Sequence, residues 1–517
     1  MRLNLYLSLV IVLAFLFSAN MFAQVDYSAT TSGKWSTMVW SPGGTPGALD
    51  NVTIPDGDTV TFDQKNIVIN NLTVGGGTGG AFQFSKTDTT SIIINGNLLV
   101  QAGATFKVQT NTIAGSTGLL HTLELHGNLT HNGVVFDLRS GTAGANLGGC
   151  NLTLAGTTNS TLTINTPYSS TNGDFNAVTI NKTGGAKVLL GSNIFMNGGS
   201  SNGPASLTSV LNFVSGKIET GDFIWICQTT TELNVIGYSA TSYIVGAMGR
   251  GMGSGAASKN FPIGDANGLR TFNLHATTGG GGTGHYAIVR CIPGVASLPT
   301  SILTSDIDKV SHVRYYQIGF NHGVVATPSM TFDKFSPSYG LDDGVAAGNT
   351  NLRVAYSIDT LKNWIGISQT VLDTTSLSAP PTRFNPDVLA SPITLNSGAG
   401  VFYVAFARVS GSTENTLENN TGVNDQTVKP ESFELSQNYP NPFNPSTRIN
   451  FTITQRSLVT LKIYNVLGKE VSTLINSEKE AGTYNVNFNA GQLSTGIYFY
   501  KLTAGNNSLV KKMILMK

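Results

Sequence analysis

Ile94-Asn95-Gly96-Asn97-Leu98-Leu99-Val100 and Leu125-His126-Gly127-Asn128-Leu129-Thr130-His131 repeat one pattern at an offset of 31 residues. Each has an apolar strand end, a turn with Gly and Asn, and a short strand. Each also runs on into a further apolar strand, one ending at Phe106 and the other at Phe136. Weaker echoes stand at Asn151-Leu152-Thr153-Leu154 and Phe175-Asn176-Ala177-Val178-Thr179-Ile180-Asn181. Strand-and-turn units recurring every 20–50 residues are the signature of a solenoid or a propeller.

Outward from this pair, the stretch from Asn51 to Ile226 has almost no helical period. It shows alternating runs between Gly/Asn turns, such as Thr59-Val60-Thr61-Phe62, Ile67 to Val74, Ser91 to Ile94 and Thr161 to Ile164. A right-handed parallel β-helix fits these runs best, with alternate Leu, Ile, Val and Phe facing in and Asn and Thr ladders between coils. A tandem of β-sandwiches is the competing architecture. Trp35 and Trp40, ahead of Pro42-Gly43-Gly44-Thr45-Pro46-Gly47, read as a cap on the first coil, the other use of such a pair being to stack on sugar rings.

Composition agrees with an all-β exported chain. Of 517 residues only 11% are charged, against roughly 25% in ordinary soluble domains, and 59 are Gly. Thirty basic and 29 acidic residues leave a formal charge of +1, so no basic field is available for nucleic acid. Arg2, an apolar run from Leu5 to Phe17 and small residues up to Ala23 read as a signal peptide cut between Ala23 and Gln24. The run of 13 residues is too short for a transmembrane anchor. Cys150, Cys227 and Cys291 lack close metal-ligand spacing and read as buried small side chains, with one disulfide at most.

From Cys227 to about Ser410 strands lengthen, as in His285 to Arg290 and Val401 to Ala407, and a β-sandwich is expected. Residues 412–431 are polar and aperiodic, a linker. Then Gln437-Asn438-Tyr439-Pro440-Asn441-Pro442-Phe443-Asn444-Pro445 packs three prolines into six residues ahead of the strand Arg448 to Ile453. Further strands follow at Val459 to Tyr464, Gly482 to Phe488, Gly496 to Leu502 and Leu509 to Met516, with Gly468 in a turn and Lys511, Lys512 and Lys517 near the end.

Residues 432–517 closely resemble the type A C-terminal sorting domain of the type IX (Por) secretion system of Bacteroidetes/Chlorobi-like bacteria. The motif residues are Tyr439, Pro440, Asn441, Pro442, Phe443, Asn444, Pro445, Gly468, Gly496, Tyr498, Lys511 and Lys512. The resemblance implies an immunoglobulin-like sandwich of seven strands, recognition by an outer-membrane translocon, and display of the cargo outside the cell, usually with removal of the domain and often attachment to lipopolysaccharide. Residues 33–54 resemble the opening of secreted bacterial β-helix proteins, and 243–274 a joining segment of type IX cargo. From Pro430 on, nine Lys/Arg against five Glu give +4, while residues 24–226, with eight Lys/Arg and eleven Asp/Glu, give −3. The domain plan is therefore a signal peptide (1–23), an N-terminal cap (24–50), β-helix repeats (51–226), a β-sandwich region (227–411), a linker (412–431) and the sorting domain (432–517).

Chemistry is sparse. His121, Glu124, His126 and His131 sit close enough to be weighed as a zinc site and read instead as outward polar positions on strands. Asp306, Asp308, Asp342 and Asp343 lack the spaced acids of a calcium loop and read as turn residues. Asp137 and Arg139 share a strand face, which resembles some polysaccharide-cleaving β-helix enzymes where an acid cluster holds Ca²⁺ and a base abstracts a sugar proton, but a single pair reads as a surface ion pair. Asp58-Thr59-Val60 and Asp359-Thr360-Leu361 resemble a short O-glycosylation sequon. Thr59/Thr61 and Thr161/Thr163 would make an ice-binding array if they stacked on one flat face. No metal or cofactor is expected, and the chain reads first as a non-enzymatic adhesin or matrix-like surface protein with a glycan or cell-surface ligand. A carbohydrate-active enzyme with its groove on the β-helix is the alternative.

Overall fold

The computed structural model describes residues 24–109, 119–139, 148–165, 175–196, 210–228, 235–253, 255–278, 286–296, 301–321, 329–339, 341–345, 351–368, 382–383, 387–389, 391–396, 401–418, 433–438, 441, 443–455, 457–479, 482–505 and 507–516. The chain divides into two compact units, 1–420 and 421–517.

The first unit opens as a parallel β-solenoid whose chain visits three walls in turn. The first wall stacks Asn51–Ile54, Leu72–Val74, Leu98–Val100, Leu129–His131, Ser160–Ile164, Lys187–Leu190 and Lys217–Glu219, and continues through Ile244–Val245 to Ile263–Asp265. The second holds Thr59–Phe62, Ala81–Phe84, Thr105–Val108 and Val135–Asp137, and the third runs from Ile67–Ile69 to Val235–Ile236. Leu98 pairs with Leu129 and Ile94 with Leu125, so the 31-residue offset is one coil. Successive partners Val52, Leu72, Leu98, Leu129 and Leu162 are 20, 26, 31 and 33 residues apart. Corner loops of unequal length account for the blurring of the repeat.

Alternation places every second residue inside: in Thr59–Phe62, Val60 and Phe62 are buried and the threonines face out. On the second wall Phe62, Phe82, Phe106 and Phe136 stack at centroid spacings of 5.5, 5.0 and 5.8 Å. Such ring pairs contribute about 0.5–1.5 kcal/mol each beyond their buried area. Trp35 meets Phe62 edge-on at 5.2 Å and Trp40 at 4.7 Å, both tryptophans buried at the end of the file. Neither face is left for a sugar ring. Trp40–Ser41 pairs antiparallel with Asp26–Ala29 and finishes the edge of the first wall.

The Gly-Asn turns hold the coils in register. Asn51 Nδ2 donates to Asp26 Oδ1 (2.7 Å), Asn71 Nδ2 to Asn51 Oδ1 (2.7 Å), the Asn97 N–H to Asn71 Oδ1 (2.6 Å), the Asn128 N–H to Asn97 Oδ1 (2.8 Å) and the Thr161 N–H to Asn128 Oδ1 (2.7 Å). The side chains of Asn71, Asn97 and Asn128 thus each satisfy a backbone N–H at the corner of the next coil.

The solenoid passes into the sandwich through one sheet. Ile194–Met196, Trp225–Cys227 and Ala247–Gly251 stack in parallel, and Ala247–Gly251 then pairs antiparallel with Tyr286–Pro293, which leads on to Arg314–Asn321, Phe402–Val409, Leu352–Ser357 and Asn363–Ile367. The second sheet contains Ala257–Phe261, Phe272–Thr278, Ser329–Tyr339, Thr382–Arg383 and Ile393–Asn396. Between the two lie Phe272, Tyr316, Phe332, Phe335 and Phe402. Cys150, Cys227 and Cys291 are buried free thiols, and burial pushes all three above the ordinary thiol range, Cys227 to about 12.

The second unit has two antiparallel sheets in a sandwich-like arrangement. One is Glu434–Leu435, Ser446–Ile453 and Gly482–Asn489; the other, in spatial order, is Glu470–Lys479, Ser457–Asn465, Gly496–Ala504 and Asn507–Leu515. Its core includes Phe443, Ile449, Phe451, Leu461, Ile463, Tyr500, Leu502, Met513 and Leu515.

Candidate binding and sorting surfaces

The histidine group on the solenoid does not converge. His126 Nε2 lies 2.7 Å from Glu124 Oε1 on the outer face of the third wall. His121 and His131 are not outward as expected: both are buried, because His121 shares the strand parity of Leu123 and Leu125, and His131 that of Leu129. His121 stacks on Phe84 at 5.1 Å and its Nδ1 faces Thr90 Oγ1 at 2.9 Å. Desolvation takes its imidazole down to about 4, and lowers His131 as well. Among the described residues no three His, Cys, Asp or Glu side chains are grouped to hold a metal.

Asp342 and Asp343 correct the turn-residue reading. They form a charge cluster with Arg270, Arg314 and Asp265. Arg314 Nε bonds Asp265 Oδ2 at 2.9 Å, its Nη1 bonds Asp343 Oδ1 at 2.6 Å, and its Nη2 contacts Asp342. Arg270 Nε bonds Asp343 Oδ2 at 2.9 Å, and its Nη2 also contacts Asp342. Arg270, Arg314, Asp265 and Asp343 are buried. Burial works against the Arg314 charge, but the carboxylates of Asp343, Asp265 and Asp342 outweigh it and raise its pKa. Burial would likewise raise Asp342, yet Arg314 and Arg270 hold it below the carboxylate range. Since Asp265 ends the last parallel strand of the first wall and Arg314 begins a sandwich strand, the cluster clamps solenoid to sandwich. Asp308 is a simpler case, bonded to Arg408 Nε at 2.8 Å and to the Gly411 N–H at 2.9 Å. Asp306 lies against Gly366.

Asp137 ends its strand and Arg139 follows beyond it, so the two do not form a solvated surface pair on one strand face. The Arg139 N–H donates to Asp137 Oδ1 at 2.9 Å and Arg139 is buried. The Asp137 carboxyl keeps some solvent exposure, yet protein surrounds it closely enough to raise it to about 7 against the pull of Arg139 and Lys107.

Thr59/Thr61 and Thr161/Thr163 lie on different walls and cannot form one array. The outer file through Thr61 runs Lys34, Thr61, Gln83, Lys107, Asp137. The file through Thr163 runs Ser28, Thr53, Thr73, Leu99, Thr130, Thr163. Of the two sequon-like threonines, Thr59 faces out from its strand and Thr360 is exposed in a turn at φ 64°.

In the second unit, Tyr439, Pro440 and Pro442 lie outside the described residues, as does Ala23 at the far end of the chain, while Gln24 is described and exposed. The neighbouring motif residues close on the last strand. The Phe443 N–H donates to Ile514 O (2.9 Å), the Met516 N–H to Phe443 O (2.9 Å), and the Ile514 N–H to Asn441 Oδ1 (2.8 Å). Phe443 is buried, whereas Asn444 and Pro445 are exposed, and Pro445 O accepts the Ala490 N–H at 2.8 Å. Gly496 pairs with Leu515 and Tyr498 with Met513, and the Tyr498 hydroxyl donates to Ser494 O at 2.8 Å. Lys511 and Lys512, both exposed, lie opposite Tyr500 and Phe499. Gly468 stands apart, at φ 77° in a hairpin closed by Asn465 Oδ1, which accepts the Leu467 and Lys469 N–H groups at 3.0 Å each. Residues 437–516 match the family described as the secretion system C-terminal sorting domain.

The second unit is a sorting domain. No characterised protein and no solved structure is significantly similar to the chain. The sorting domain marks the protein for the type IX machinery and for delivery across the outer membrane to the surface or beyond. Its geometry adds residues outside the motif reading. The Tyr500 hydroxyl donates to Ser436 O at 2.7 Å and accepts from the Asn438 N–H at 2.8 Å, while Asn438 Nδ2 reaches Thr447 Oγ1 at 3.0 Å. Tyr500 has the inward parity of Tyr498 and Leu502, which is visible in the sequence; its backbone partners are not.

Proposed function

We propose that the exported chain is a non-enzymatic adhesin or matrix-like protein at the cell surface, binding glycan or a neighbouring surface through many weak contacts along the solenoid walls. The observation that carries this reading is the outer face of the first wall, where the in-register file Ser28, Thr53, Thr73, Leu99, Thr130, Thr163 sets one side chain per coil, five of the six being hydroxyl-bearing. Such a face offers hydrogen bonds to a polymer at roughly 4.8 Å intervals without a pocket. Charge on the outer faces is sparse: Lys34, Lys107 and Asp137 share one file on the second wall, Lys187, Lys217 and Glu219 lie on the first wall in the coils beyond the hydroxyl file, and Glu124 stands on the third. Expected partners are the type IX translocon and sorting machinery during export and a glycan afterwards. The test is a glycan array probed with the protein collected from the cell surface. Binding that strengthens with polymer length supports the reading, and the absence of binding to any glycan opposes it.

Asp137 favours a second reading. A carboxyl near 7 beside Lys107 and the Arg139 backbone is poised to exchange a proton near neutral pH, as a polysaccharide-cleaving enzyme requires. A reducing-sugar assay on every glycan that binds, run with the wild type and with Asp137→Asn, separates the two. Turnover lost in Asp137→Asn makes the chain an enzyme; binding without turnover makes it an adhesin.

A further inference from the structure

The last strand of the sorting domain, Asn507–Leu515, is an edge strand whose two halves are treated differently. Its inner side pairs throughout with Gly496–Ala504. On its outer side, the Lys512 carbonyl accepts from Gln437 Nε2 at 2.7 Å, the Ile514 N–H and C=O engage Asn441 and Phe443, and the Met516 N–H engages Phe443. Even-numbered residues therefore direct their backbone groups outward, and the motif segment covers this edge from Lys512 to Met516. Ser508 and Val510 have the same parity, yet among the described residues no hydrogen bond reaches them from that side. Val510 is 54% exposed and Leu509 37%.

An exposed edge of this kind is a template for another strand, and proteins leave one open at the risk of aggregation. Here the edge is guarded by charge. Lys511 and Lys512 project to opposite faces of the strand, and Lys501 stands exposed on the neighbouring strand opposite Val510. An apolar strand, or the same edge of a second copy, would crowd these ammonium groups without supplying a counter-charge; a strand bearing carboxylates would pair with them.

We propose that the open half of this edge, Asn507–Lys511, accepts an extended acidic segment of the secretion machinery as an added β-strand, main-chain bonds at Ser508 and Val510 giving affinity and the side chains of Lys511 and the adjoining Lys512 giving selectivity. The inference rests on the sorting reading of 437–516 and specifies its contact. The motif residues Asn441 and Phe443 then have a definite part: they occupy the other half of the edge and fix where the incoming strand must stop.

The test uses the full chain expressed in a bacterium with type IX machinery. Val510→Pro removes the outward N–H while sparing the ladder to Gly496–Ala504, since proline is tolerated on the open side of an edge strand. It is expected to lower surface delivery at least 10-fold with the thermal unfolding of the purified chain unchanged. The double variant Lys511→Glu/Lys512→Glu leaves the backbone intact and is expected to lower delivery comparably. A photo-crosslinking residue at Val510 is expected to give an adduct in the envelope fraction, and one at Thr460, mid-sheet, is not. Wild-type delivery by the charge-reversal variant, or by a folded Val510→Pro chain, overturns the inference, as does an adduct at Thr460 alone. Deletion of 437–517 separates the two levels: export lost on deletion but kept in the point variants refutes the edge contact and leaves the sorting reading standing, whereas export kept on deletion refutes both.

Discussion

Asn71 and Asn97 are joined across one coil: Asn71 Oδ1 accepts the Asn97 N–H at 2.6 Å, and a Cβ on Gly96 would lie 2.2 Å from that same oxygen. The Gly-Asn pair in the repeat is thus one device. Asparagine supplies the bond between coils, and glycine leaves room for the asparagine beneath it.

Gly96→Ala should therefore displace Asn71 and cost about 1–3 kcal/mol, a large value for a surface turn. Gly43→Ala, where no atom lies within 4 Å of the added carbon, should stay within about 0.5 kcal/mol. Urea unfolding of the two variants checks the contrast; equal effects would contradict the device.

The clamp between solenoid and sandwich gives a second test. Arg314→Met leaves Asp265, Asp342 and Asp343 buried or half-buried without their shared partner and should destabilise the first unit by roughly 3–5 kcal/mol. Arg408→Met, which breaks a more exposed pair with Asp308, should cost about 0–1 kcal/mol. Differential scanning calorimetry on both variants reads the difference.

His121 predicts a pH dependence with a definite sign. Its folded pKa, about 4, lies below the ordinary histidine value of 6.5, so the unfolded chain binds the proton first. Stability is then fully present above 6.5 and is lost as pH falls from 6.5 towards 4, by up to about 1.4 kcal/mol per pH unit from this group. His121→Phe, which keeps the ring against Phe84, should flatten the curve between pH 7 and 5. An unchanged slope in that variant would assign the dependence elsewhere.

How much of this was legible follows from the range of each interaction. The coil was readable at Ile94 and Leu125 because a solenoid writes its pairing as a sequence offset. The sorting domain was readable because its turns and prolines are local. The inward course of His121 and His131 is also written in the sequence, in their parity with Leu123 and Leu129, although their residue type alone points outward. Two features were beyond reach. Nothing near Asp342 announces Arg270, 72 residues earlier, and nothing in Thr59 or Thr161 says which wall each will join, because corner loops of unequal length decide it. The continuation of Ala247–Gly251 into an antiparallel partner is likewise a choice of neighbour, not of local pattern.

Residues 437–516 are the address for export, and deletion of the second unit, 421–517, followed by fractionation of cells with type IX machinery tests that most directly. Accumulation of the truncated chain in the periplasm, with none at the surface, is the predicted result. Surface display at the level of the full chain would contradict it.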